Sequence, residues 1–187
     1  LGTYIMTKRW MKLPLHVFNQ LVNTLSTFSF EKYNHKMKHI RNVYIENGYD
    51  VNTVFYTGKT IFSFMLPDDF NYVKTNRADA NEPTVKIVKG VLLEGTVNKS
   101  QLSGGHYSII HLLAKEYNIQ TSMHFVDDVQ FVSNSFLTWF GFSAGLNDCL
   151  VRHSEKEMEN IILKGYLQAE EMDNNLRNVD IKEAQIN

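Results

Sequence analysis

An α+β fold, with helices at both ends around a small, mainly antiparallel sheet and a long central helix, is the class this sequence predicts. Three observations carry it. Apolar residues recur at helical spacing up to about residue 50. The pattern then changes to runs rich in Val, Ile, Phe, Tyr and Thr. Helical spacing returns near residue 106 and continues through a long apolar stripe. On this patterning the chain divides into an N-terminal helical segment over 1–50, an α+β domain over 51–150 and a helical segment over 151–187.

In chain order, Leu15, Phe18, Leu21, Val22 and Leu25 follow helical spacing behind Pro14, whose fixed φ suits a helix start. Tyr33, Met37, Ile40 and Tyr44 repeat the pattern, and Gly48 closes that helix. Residues 51–66 end in Ile61-Phe62-Ser63-Phe64-Met65-Leu66-Pro67 and read as strand stopped by proline. Residues 68–83 are acidic, Asn-rich and weakly patterned, and read as an exposed hairpin or loop. Thr84 to Leu93 is a second β-rich run with Gly90 as turn or bulge. Residues 94–105 are rich in Gly, Asn and Ser and read as loop. One helix is expected from about His106 to Tyr117, and a longer one from about Thr121 to Phe140 that Gly141 stops. The longer helix aligns Phe125, Val129, Val132, Phe136 and Phe140 on one face, with Asp127, Asp128, Gln130 and Asn134 elsewhere. Ser154-Glu155-Lys156-Glu157 is a capping box opening a charged C-terminal helix. Its apolar content thins after Leu167, so it needs a partner.

Composition bounds the function. With 187 residues, 43% hydrophobic and 12% aromatic, the chain can bury one sizeable core, or a core plus a helical appendage. A net charge of -1 argues against an autonomous nucleic-acid binder, whose electrostatic footprint is basic. The single Cys149 excludes an internal disulfide and a cysteine-rich zinc site, and fits a reducing compartment. No apolar run approaches the ~20 residues a membrane helix needs, and no signal peptide is visible. The chain opens Leu1-Gly2-Thr3 and closes on a polar tail, so both ends read as cut from something longer.

No catalytic constellation emerges. Gly58-Lys59-Thr60 imitates the tail of a phosphate-binding loop, but Thr53 stands where that loop needs glycine, and the following residues read as strand. His35 and His39 lie one helical turn apart, yet Lys36 and Lys38 flank them and no third ligand is evident, so they read as a solvated basic face. Adjacent acids cannot aim at one centre from a strand or helix. Asp68-Asp69 therefore reads as a turn, and Asp127-Asp128 as an exposed helix edge. Cys149 reads as a small buried hydrophobe. The segment from Gly95 to Gly105 leaves two readings open. Lys99, Ser100, Ser103, Gly104 and Gly105 put a charge, hydroxyls and accessible amides together, as a phosphate contact needs; the same residues also make a plain connector.

Three stretches, in order, resemble one family. Thr57-Gly58-Lys59-Thr60-Ile61-Phe62-Ser63-Phe64-Met65-Leu66-Pro67 is the first, and Ile87-Val88-Lys89-Gly90-Val91-Leu92 followed by Lys99, Gly105 and His111 is the second. Gly141-Phe142-Ser143-Ala144-Gly145-Leu146-Asn147-Asp148 is the third. Together they resemble the largest subunit of multisubunit DNA-directed RNA polymerases of the eukaryotic, archaeal and large-DNA-virus type, over roughly 57–150. The resemblance implies a fragment covering the pore region (51–150) and the start of the helical funnel (151–187). In that family the region helps to line the secondary channel, through which nucleotides enter and into which backtracked RNA is extruded. It implies Lys99, Ser100, Ser103, Gly104 and Gly105 as the nucleic-acid or channel-facing residues. It implies no catalytic residue, metal ligand or cofactor in this chain, because the family's aspartate-rich loop is absent from it. Mg2+ and structural Zn2+ belong elsewhere in the full enzyme, a nucleotidyltransferase.

The partners implied are other regions of the same subunit, other polymerase subunits, DNA template, RNA and nucleotides, with no membrane. The location implied is intracellular: host cytoplasm or virion for a viral enzyme, nucleus for a cellular one. The Asn-, Lys- and Ile-rich composition points to a large cytoplasmic DNA virus. One departure bears on the site: where the family often carries a basic pair, this chain has Glu94-Gly95. The competing reading is a free-standing α+β protein-interaction domain without catalysis. A small hydrolase or nucleotide-binding enzyme has almost no residue to support it.

Overall fold

Gly2 opens the first helix, α1 (Gly2–Met6), at a point where no side chain fits, since a Cβ would lie 2.9 Å from Ser133. The structure, a computed structural model, describes residues 1–8, 11–26, 29–75, 84–149 and 155–184. Contacts gather these into two compact units, Leu1–Phe142 and Ser143–Asn187. In the first unit, α2 (Leu15–Asn23) follows Pro14 and buries Val17, Phe18, Leu21 and Val22; Leu15, expected on that face, is instead 56% exposed at the first turn. Helix α3 (Phe30–Glu46) starts where the Ser29 hydroxyl accepts the Lys32 N–H, and ends ahead of Gly48 at φ +77.

The segment read as strand over 51–66 is helical. Asp50 caps α4 (Val51–Val54) by accepting the Asn52 N–H at 3.0 Å, and α5 (Gly58–Phe64) follows. Every position from Gly58 to Ser63 is buried, so no polar–apolar alternation exists to tell helix from strand. Tertiary packing decides instead. Phe62 meets Phe125 edge-on with ring centroids 5.9 Å apart. The Ser63 hydroxyl donates back to the Lys59 carbonyl and accepts the Leu92 N–H, both within 2.9 Å.

The sheet lies within the span expected for it but begins later. Strands β1 (Tyr72–Thr75), β2 (Thr84–Val88) and β3 (Val91–Glu94) form an antiparallel meander in the order β1-β2-β3. The first strand falls in the stretch read as hairpin or loop; residues 76–83 of that stretch lie outside the described residues. A two-residue turn, Lys89 at φ +47 and Gly90 at φ +70, joins β2 to β3, as the glycine signalled. Strand β3 is buried on both faces. Leu92 enters the main core with Phe62 and Phe125, while Val91 and Leu93 join Ile40, Val43 and Tyr44 of α3.

Helices α6 (Lys99–Leu102), α7 (Ile109–Glu116) and α8 (Ile119–Phe140) complete the unit. Helix α8 is the expected long strut, with Phe125, Val132 and Phe136 buried. Two members of its expected face differ: Val129 is half-buried, and Phe140 is 46% exposed at the helix end. Asp128, expected at an exposed edge, is buried, because its carboxylate accepts the Ser26 N–H at 2.7 Å. Gly141 terminates the helix at φ +75, its N–H donating to the Leu137 carbonyl at 2.7 Å. The second unit holds α9 (Leu146–Cys149) and α10 (Glu155–Ala184). Cys149 is exposed rather than buried, on a helix of four residues too short to shield a face. Ser154 of the expected capping box lies outside the described residues, and Ile161, Ile162, Leu163, Tyr166 and Leu167 of α10 are exposed.

Candidate functional site

The segment read as loop contains one helical turn, α6, for a reason the sequence carries. Asn98 and Gln101 form a capping box: the Asn98 carboxamide oxygen accepts the Ser100 N–H at 2.8 Å, and Gln101 Oε1 accepts the Asn98 N–H at 3.0 Å. The Asn-x-x-Gln spacing was its signal. The turn presents Lys99 and Ser100 to solvent, leaves Ser103 half-buried, and exposes Gly104 and Gly105. All five expected site residues therefore lie on one continuous surface segment.

The glycines are not explained locally. A Cβ on Gly104 would meet nothing within 4 Å, one on Gly105 would meet only the Ser103 hydroxyl at 3.5 Å, and neither glycine has positive φ. The segment is instead tied down by residues that periodicity did not single out. Lys74 Nζ donates to the Ser100 carbonyl at 2.9 Å. The Tyr72 hydroxyl donates to the Tyr107 carbonyl at 3.2 Å, and the two rings stack with centroids 6.0 Å apart. Burial, with the neighbouring Tyr107, pushes the Tyr72 hydroxyl up to about 12. Gln101 is fully buried, and its Nε2 and the Nδ1 of His111 have no hydrogen-bond partner among the described residues. No signal in a single sequence pairs Lys74 with a carbonyl 26 positions on.

The remaining candidates resolve into structural roles. Helix α5 does follow Gly58 and Lys59, contrary to the strand expected there. A phosphate still cannot approach, because Gly58, Lys59 and Thr60 are buried and a Cβ on Gly58 would lie 1.9 Å from the Met6 carbonyl oxygen. The face of α3 read as solvated and basic is only partly so. Lys36 is buried and donates to the Leu66 carbonyl at 2.6 Å and to the Asp68 carboxylate. Burial lowers the Lys36 ammonium from its ordinary value, against the opposing pull of Asp68. His35 and His39 stand 3.7 and 4.0 Å from the same carboxylate, and His39 also meets the Lys89 carbonyl at 2.8 Å. Asp68 and Asp69 form a turn, as read, and diverge: Asp69 accepts the Tyr117 hydroxyl at 2.7 Å. Among the described residues, no three His, Cys, Asp or Glu side chains are grouped to hold a metal ion, and no helix is long and apolar enough to cross a membrane.

What the exposed segment can do is limited and definite. It presents one exposed cation, two hydroxyls and a glycine pair, groups able to make a loose contact with an anion.

Residues 1–149 match the family model described as RNA polymerase Rpb1, domain 3. A protein named probable DNA-directed RNA polymerase II subunit RPB1 homolog, from Invertebrate iridescent virus 6, is 30% identical over 129 residues, covering 69% of this chain and 12% of the relative. DNA-directed RNA polymerase II subunit RPB1-B of Trypanosoma brucei brucei is 32% identical over 114 residues, 58% of this chain and 6% of that protein. DNA-directed RNA polymerase subunit Rpo1N of Thermoplasma acidophilum is 28% identical over 116 residues, 56% of this chain and 13% of the archaeal one. The chain thus spans 6–13% of the length of these three relatives.

Proposed function

Because this chain belongs to the RNA polymerase Rpb1 domain 3 family, we propose that it is a fragment of the largest subunit of a DNA-directed RNA polymerase, and that it forms part of the wall of the secondary channel. The whole enzyme would be a nucleotidyltransferase acting inside a cell or virion, with other polymerase subunits, template, RNA and nucleotides as partners. The chemistry would belong to metal ligands elsewhere in the subunit. The observation that carries the channel reading is the Lys99–Gly105 segment: exposed, bearing a cation and hydroxyls, with Gly104 and Gly105 that the local fold does not require. Glycine without a local steric reason suits close approach by something outside the chain.

A second feature favours a fragment of a larger assembly over a free-standing interaction domain. Ile119, Met123 and Val126, spaced at helical intervals, form an exposed apolar stripe along α8 that suits cover by a neighbouring region. Replacing Lys99 by Ala in the assembled polymerase tests the channel reading. Promoter choice and template fidelity should stay near normal, because a phosphate contact carries no sequence information. Pausing and transcript cleavage should change a few-fold, since one exposed contact contributes about 1 kcal/mol or less. Unaltered pausing and cleavage would return the segment to the role of a solvated connector.

A further inference from the structure

Tyr72 and Lys74 sit two residues apart on β1, an edge strand of the sheet, and alternation puts them on the same face. Their side chains end on two carbonyls of one segment, Ser100 at 2.9 Å and Tyr107 at 3.2 Å, with Ser103, Gly104 and Gly105 between. Lys74 takes a carbonyl at the end of a one-turn helix, where the backbone leaves carbonyls without intrahelical partners and a cation is favoured. Tyr72 takes the carbonyl of a residue held at φ +60, a conformation a tyrosine rarely adopts unless its surroundings impose it.

We propose that Tyr72 and Lys74 are positioning residues for the Lys99–Gly105 segment: a two-point clasp from the edge strand that fixes how Lys99 and the two glycines are presented. The consequence for transcription rests on the channel reading; the clasp itself does not.

Hydrogen–deuterium exchange on the 187-residue chain tests the clasp directly. Lys74→Met should speed exchange of amides 99–107 by about two- to fivefold, the loss expected for one exposed hydrogen bond from a charged donor. Tyr72→Phe should speed it several-fold, and Lys74→Arg should restore most of the protection. Exchange at 99–107 that is unchanged in both Lys74→Met and Tyr72→Phe would overturn the proposal. In the assembled polymerase, Lys74→Met should alter transcript cleavage in the same direction as Lys99→Ala, and the double variant should be no worse than Lys99→Ala alone. If Lys99→Ala changes cleavage but a loosened segment in Lys74→Met does not, Lys74 positions nothing. If exchange rises while cleavage is untouched by all three, the clasp stands and the channel reading fails.

Discussion

Gly58 and Gly104 are the same residue type doing opposite things. At Gly58 the backbone of α5 approaches Met6 so closely that any side chain must displace main chain, so Gly58→Ala should destabilise the chain by about 1–3 kcal/mol. At Gly104 nothing lies within 4 Å, and the same change should leave the unfolding free energy equal or slightly higher, by about 0.4–1 kcal/mol at most, through lost freedom in the unfolded chain. Urea unfolding of the two variants separates them. Tyr44 gives a pH signature. Burial pushes its hydroxyl up to about 12 from an ordinary 10, so the folded state keeps a proton that the unfolded state gives up between those values. Its contribution is fully present below pH 10 and is lost as pH rises towards 12, on the order of 2–3 kcal/mol at the upper end. Tyr44→Phe should flatten this alkaline fall; an identical slope from pH 9 to 12 in wild type and variant would contradict the burial argument. Lys36 acts in the other sense, because its lowered ammonium makes folding less costly as pH rises towards its unfolded value.

Among the elements, α8 should behave as the strut of the first unit along only part of its length. Phe136→Ala should cost about 3–5 kcal/mol through lost burial and the cavity left behind. Phe140→Ala, at an exposed helix end, should stay within about 0.5 kcal/mol in this chain. Thermal unfolding of both variants checks the contrast. The helical elements with clean amphipathic spacing, α2 and α8, were legible in the sequence, as was the Lys89-Gly90 turn, because each announces itself through local chemistry. Helix α5 was not, because a run buried on all sides shows neither period, and its state is set by Met6, Phe125 and Leu92, distant in the chain. Lys36 and Asp128 misled in a related way: a charged side chain reads as solvated until its partner, here Asp68 or the Ser26 amide, is placed beside it. The surface placement of Lys99, Ser100, Gly104 and Gly105 was legible from composition, whatever role the segment has. The capping box that shapes the segment was written in Asn98 and Gln101 and overlooked, and its tethers to β1 exist only in three dimensions.

For the whole molecule, family membership and the proposed channel role make separate demands. If the metal ligands lie elsewhere in the subunit, as proposed, a pure preparation of the chain should not extend a primer. Metal-dependent extension abolished by one substitution within the chain would contradict this. The most direct measurement of the channel role places a short photo-crosslinking side chain at position 99 of the assembled largest subunit, and at exposed position 35 as a control. A polymerase carrying RNA with a reactive 3′ end is then stalled and backtracked. Position 99 should crosslink to the extruded RNA only in the backtracked state, and position 35 should not. Equal labelling at the two positions, or none at position 99 in any state, would contradict the account.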